Sequence, residues 1–216
     1  MRHLLLAMLC IATALPAVAA AQYATVGGVT IRAISHQALV RSALGDLIAP
    51  ERRVSQLGME LTLPSPWRAL RVEGRLLGAE GGRVDLRSLD AGLVVGWRTL
   101  GVAAAFGQRG SYDPASGLAH ARDAQFGRAG LRLRLGDPDA PFILHLRGDT
   151  YVPLRAVNDA ADALDGWDAE GGVTWRAKEL PYTVSLGYRL ERFRIFRVEQ
   201  EVSALTVALG AAFGGR

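Results

Sequence analysis

Past the first twenty residues, apolar side chains fall on every second position, and polar or charged ones stand between them. In 57–63 the apolar set is Leu57, Met59, Leu61 and Leu63, with Gly58, Glu60 and Thr62 in the alternate places. In 70–76 Leu70, Val72 and Leu76 alternate with Arg71, Glu73 and Arg75. The same rhythm places Ala129, Leu131, Leu133 and Leu135 against Arg128, Arg132 and Arg134. Phe142, Leu144 and Leu146 alternate with His145, Arg147 and Asp149. Segments 91–97, 102–109, 167–176, 182–191 and 203–213 repeat it, and the first such segment lies around 23–36, with Val29, Ile31 and Ala33 on one face. Period two is the signature of a strand with two unlike faces. A helix would need apolar residues at i, i+3 and i+4. Only 39–48 shows that spacing, through Leu39, Val40, Ala43, Leu44, Leu47 and Ile48. About ten strands are predicted, with eight the alternative. Residues 39–48 are expected in a long first loop, either as a short helix over the barrel mouth or against the membrane rim, or as an ordinary packed loop.

The connectors alternate in length. Stretches 37–54, 79–88, 111–123 and 153–165 read as long, whereas Pro64–Pro66, Thr99–Gly101, Gly136–Pro141 and Lys178–Pro181 read as short. Long loops at one end and tight turns at the other belong to an up-and-down barrel set in an outer membrane, with both chain ends at the short-turn side. Alternation alone leaves a choice. A soluble barrel would turn its apolar face inward, and a lipid-embedded one outward. Aromatics favour lipid: Trp97, Phe142, Trp175, Tyr182 and Phe213 lie in the apolar phase beside the short turns or the C-terminus, and Trp167 lies at the opposite end. Such girdles mark the two interfaces of a membrane.

The inward list then holds Arg71, Arg75, Arg98, Arg109, Arg128, Arg132, Arg134, Arg147, Arg176 and Arg189. Opposite them stand Glu60, Glu73, Asp90, Asp149, Asp168, Glu170 and Glu191, with His145 among them. Charges withdrawn from water need partners, and the planar guanidinium fork suits carboxylates. A salt-bridged, largely closed lumen is expected, with a narrow anion-leaning pore as the alternative. After Leu190 the phase flips, so that Phe193 and Ile195 take the formerly polar side. Either a β-bulge near Arg192 or a strand rising above the membrane would do this.

Composition now changes meaning. All but one of the 25 basic residues are arginine, the exception being Lys178, and the net charge is +4. Such a chain invites a nucleic-acid reading. The arginines are interleaved within strands and not massed on a patch, so no nucleic-acid partner is expected. The N-terminus carries a different signal. Met1-Arg2-His3, the apolar run Leu4–Leu15, Pro16 and the small residues 17–21 form the plan of a secretory signal peptide. Residues 1–21 are therefore expected to be a cleaved signal and 22–216 the barrel. The single cysteine, Cys10, lies inside the apolar run of the signal.

The whole segment 22–216 resembles the small outer-membrane β-barrel proteins of the OmpA/OmpX-like and opacity-like families. The resemblance is one of pattern. The last strand, Ala204–Phe213, looks like the C-terminal signal read by the barrel-assembly machinery, although Gly214-Gly215-Arg216 follows the aromatic. The resemblance implies an outer-membrane location and antiparallel closure, without implying an activity. The chain is expected to be a monomeric, all-β, closed transmembrane barrel surrounded by outer-membrane lipid and lipopolysaccharide.

Candidate chemistry is thin. Ser111, Asp113 and His120 share one loop, and His145 sits beside Arg147; an envelope hydrolase is the third functional reading. The loop 158–168 carries acids at every third position, whereas a calcium loop spaces them alternately; its plain reading is a short helical turn capped by Asn158. Neither a phosphate-binding glycine loop, a zinc spacing nor a redox pair is present, so no cofactor or metal is expected.

Overall fold

The computed structural model describes residues 29–44, 47–48, 50–64, 70–80, 85–96, 99–112, 124–136, 140–154, 165–176, 181–195 and 198–213. The signal-peptide assignment, Trp97, Arg98, Asp113, His120 and most of the 158–168 loop fall outside them. Ten long strands follow one another: β1 (Val29–Leu44), β3 (Arg52–Pro64), β4 (Leu70–Glu80), β5 (Asp85–Gly96), β6 (Leu100–Tyr112), β7 (Ala124–Leu135), β8 (Phe142–Pro153), β9 (Asp165–Arg176), β10 (Tyr182–Ile195) and β11 (Val198–Phe213). A two-residue strand, β2 (Leu47–Ile48), folds back on the end of β1. Each long strand pairs antiparallel with the next, and β11 pairs with β1 from Val29↔Phe213 to Leu44↔Val198. The sheet therefore closes into an up-and-down barrel that leaves no long edge unpaired. Ten strands settle the choice between eight and ten.

The alternation read from the sequence sets which way each side chain points. Leu57, Met59, Leu93, Leu131, Leu144, Leu186 and Val207 are all exposed, as are Phe106 at 54% and Leu209 at 61%. An apolar belt running round the whole wall far exceeds the few hundred Å² a soluble surface carries. It is the surface of a barrel solvated by hydrocarbon. Phe142, Trp175 and Tyr182 stand outward near the end where β1 begins and β11 finishes, and Trp167 stands outward near the far end. Phe213 ends β11, and its side chain lies outside the described residues.

Two expectations are corrected. Residues 39–44 are not loop or helix, because β1 continues through them to Leu44, paired on one side with β11 and, as far as Val40, on the other with β3. Those two ladders satisfy the backbone polar groups that a helix would otherwise have to pair internally. The connections at the far end are also less uniformly long than expected. Strands β4 and β5 approach across 81–84, and β10 and β11 across 196–197, since the strands run on beyond the apolar belt. The phase flip has a simple cause. β10 pairs one-to-one with β11 from Tyr182↔Ala211 to Ile195↔Val198, and with β9 from Thr183↔Arg176 to Arg194↔Asp165. No extra residue is inserted, so there is no bulge; the strand keeps its phase and rises past the belt.

Candidate functional site: the lumen

The inward positions divide into an apolar far end and a charged middle. At the far end Val40, Val54, Phe126, Tyr151, Phe193, Ile195 and Val202 are buried against one another, with Ala38, Ala124 and Ala204 between them. Phe126 and Tyr151 meet edge to face at 5.0 Å between ring centroids. Gly107 makes this packing possible, because a Cβ there would lie 2.7 Å from the Phe126 ring. Outside the same strand segments the wall is charged. Arg194 donates to Asp165 at 2.7 Å, Arg41 donates to Glu51 at 2.9 Å, and Arg192 pairs with Glu199.

Below this plug the inward residues form ion-pair chains. Glu60 accepts from Arg32 at 3.1 Å and from Arg147 at 3.0 Å. Arg147 also reaches Glu170 at 2.8 Å. Asp168, fully buried, lies 3.2 Å from Arg189, 3.5 Å from Arg75 and 3.9 Å from Arg147. Arg189 joins Asp168 to Glu191 at 3.1 Å. Glu191 is held further by a two-toothed pair with Arg109, one contact being 3.0 Å, and by the Tyr151 hydroxyl. The Arg109 guanidinium lies 3.8 Å from the Phe193 ring centroid, a cation–π contact that joins the charged middle to the plug. A second chain runs across β4, β5, β7 and β8: Asp90–Arg128 at 2.7 Å, Arg128–Asp149 at 3.8 Å, Asp149–Arg132 at 2.7 Å and Arg132–Glu73 at 3.6 Å. Glycine again makes room, since a Cβ on Gly130 would overlap the Asp149 carboxylate.

The alternation names most of these positions. Arg71, Arg134 and Arg176 occupy inward positions at strand ends and are half-buried. His145 lies in the lumen with its Nδ1 3.3 Å from Thr174 Oγ1, which in turn lies 2.9 Å from Ser185 Oγ. Several lumen residues are missing from the list drawn from the sequence. Arg32 alternates with Ile31 and Ala33 and is visible by phase alone. Tyr151 continues the run His145, Arg147, Asp149. A separate polar group brings His36 Nδ1 to 2.8 Å from Thr206 Oγ1, and Gln200 donates to Ser42 at 2.9 Å; these are uncharged contacts between distant strand segments, and no local pattern marks them. Among the described residues no cluster of three or more His, Cys, Asp or Glu could hold a metal ion. The arrangement is built of fixed ion pairs.

None of the protein-family models and none of the curated proteins compared matches the chain. Among solved structures it is similar to Neisserial surface protein A, with 14% identity and a TM-score of 0.45 over 86% of this chain and 97% of that one. It is also similar to an outer-membrane channel from Pseudomonas putida F1, with 11% identity and a TM-score of 0.43 over 92% of this chain and 99% of that one. The translocator domain of the autotransporter NalP from Neisseria meningitidis gives 11% identity and a TM-score of 0.43, over 86% of this chain and 88% of that one.

Proposed function

We propose that the chain is an outer-membrane β-barrel with a closed lumen, serving a structural or surface-interaction role in an envelope of lipid and lipopolysaccharide. The observation that carries this reading is the apolar plug at the far end, where Phe126, Phe193, Ile195 and Val202 are buried across the lumen. An ion crossing that layer would leave water for hydrocarbon-like surroundings, at a cost of many kcal/mol. The charged middle supports the same reading, because its guanidinium and carboxylate groups are engaged with one another. Ten strands also lie near the eight whose side chains fill a barrel and far from the 16–18 of open porins.

Planar-bilayer recording of the purified protein tests it. The expected trace shows no steady conductance steps. Steady, anion-selective steps would replace the closed lumen with a narrow pore. The membrane assignment has its own check: the folded protein is expected to need detergent and to migrate differently on gels before and after heating. A protein that stays soluble without detergent overturns it.

A further inference from the structure

The lipid-facing wall is not equally apolar all round. On β4 to β7 the outward places of 70–76, 89–95, 100–106 and 129–135 hold only Leu, Val, Ala, Gly and Phe. Where β11 closes on β1 the wall changes. Ser35 and Gln37 on β1, Ser55 on β3 and Ser203 on β11 all take the outward phase, because their neighbours His36, Ala38, Gln56 and Ala204 are buried. Register gathers the four. Gln37 stands opposite Ser55 on one side and Leu205 on the other, and Ser35 opposite Leu57 and Val207. Ser203 stands opposite Leu190, the last apolar outward residue of β10 before Arg192. The group therefore lies at the far margin of the apolar belt, where acyl chains give way to head groups. One outward place further along β3, Arg53 is exposed and has no ion-pair partner among the described residues, its neighbour Arg41 being held by Glu51.

Most of the group's hydrogen-bonding capacity is unused. Ser55 donates to Gln37 Oε1 at 3.2 Å. The Gln37 amide N–H groups and the hydroxyls of Ser35 and Ser203 have no partner among the described residues. Polar groups set against hydrocarbon are costly unless something pairs with them. Nothing in the barrel's own packing asks for them, since aliphatic side chains fill the matching places on β4 to β7.

We propose that this seam seats a phosphorylated glycolipid of the outer leaflet, of the lipid A class. Along the wall the order is apolar side chains (Ala33, Met59, Val207), then neutral donors, then the Arg53 cation. That order matches acyl chain, amide and ester carbonyls, and phosphate along such a lipid. Carbonyl oxygens accept from Gln37, Ser35 and Ser203, and a guanidinium suits phosphate oxygens. The far end faces outward in the orientation that the outer-membrane reading implies, and the proposal rests on that reading. A second copy of the chain fits less well, because a two-fold contact centred on Gln37 would bring two Arg53 charges to one joint.

The test is native mass spectrometry of the full folded barrel in detergent with lipid A added. Retention of a single lipid A is expected. It should fall about tenfold in Q37L/S203A, which removes two neutral hydrogen-bonding groups, and stay unchanged in L131A, on β7 across the barrel. R53Q should bind phosphorylated and dephosphorylated lipid A equally, whereas the unaltered barrel prefers the phosphorylated form. The Q37L/S203A changes make a lipid-facing wall more apolar, so the fold should persist, with heat-modifiable gel mobility as the check. Absence of retention by the unaltered barrel, an equal loss in L131A, or equal retention of phosphatidylglycerol overturns the proposal. So does a dimer that Q37L dissolves and that carries no lipid, which would give the seam to a second copy. A protein that stays soluble without detergent sinks the outer-membrane reading and this site with it. A barrel that needs detergent yet retains no lipid A sinks this site alone.

Discussion

Two stretches of β10 only a few residues apart carry opposite chemistry on the same face. At Arg189 and Glu191 the inward side is ionic, while Leu190 outside is apolar; at Phe193 and Ile195 the inward side is apolar, while Arg192 and Arg194 outside are charged. The backbone does not change between them, since its register with both neighbours is continuous. What changes is the medium. Beside lipid the outer wall must be apolar, and the inside is free to hold charge if that charge is paired. Past the lipid the wall meets water, and the same barrel adopts the plan of a soluble protein, with its apolar side chains within. Neighbouring strands repeat the switch: Glu201 outside and Val202 inside on β11, Arg53 outside and Val54 inside on β3.

The plug end should therefore respond to truncation as a soluble core does. Phe193→Ala removes a ring that is 1% exposed and faces Arg109. A loss of about 3–5 kcal/mol is expected in urea unfolding from lipid vesicles, the largest of the effects considered. The same variant would thin the proposed seal, so brief conductance events should appear in bilayer recordings where the unaltered protein is expected to be silent. A loss under about 1 kcal/mol would show that the far end is not packed as a core.

The charged middle should respond differently. Arg189→Ala strips one cation from both Asp168 and Glu191. Breaking a buried pair costs about 3–5 kcal/mol when it strands a charge. Here Asp168 keeps Arg75 and Arg147, and Glu191 keeps Arg109 and Tyr151. The expected loss is near the low end, about 3 kcal/mol, and conductance should stay silent because the plug is untouched. The contrast between the two variants in the bilayer matters more than their stabilities. Equal conductance in both would mean that the two regions close the lumen jointly.

The sequence carries the barrel further than it carries its far end, and the medium explains why. Where lipid lies outside and ion pairs inside, the two faces differ sharply and period two is plain, as in Leu131, Arg132, Leu133, Arg134. Near the crossover the inner face turns apolar before the outer face turns polar. Leu39 and Val40 are then apolar neighbours pointing opposite ways, the alternation vanishes, and the segment imitates a helix. Arg32 is legible by phase but stands in a strand with few flanking charges. The flip at Phe193 is visible, yet only the register separates a bulge from a continuous strand. The pairing of Arg109 with Glu191 joins β6 to β10 across the lumen, a contact that no local pattern announces.

The outer wall above the lipid supplies the smallest effect. Arg192 and Arg194 pair with Glu199, Glu201 and Asp165, but each arginine side chain is more than half exposed. Attraction between solvated charges is weak and screened by salt, and holding long side chains in place costs entropy. Arg192→Ala should therefore leave stability nearly unchanged, and raising the salt from about 50 mM to about 500 mM should erase any difference that remains. Arg189, with nearly the same chemistry three positions earlier but buried, should keep most of its effect at high salt. If the two arginines instead showed the same salt dependence, the lumen would have to be as wet as the outer wall, and the division drawn along β10 would fail.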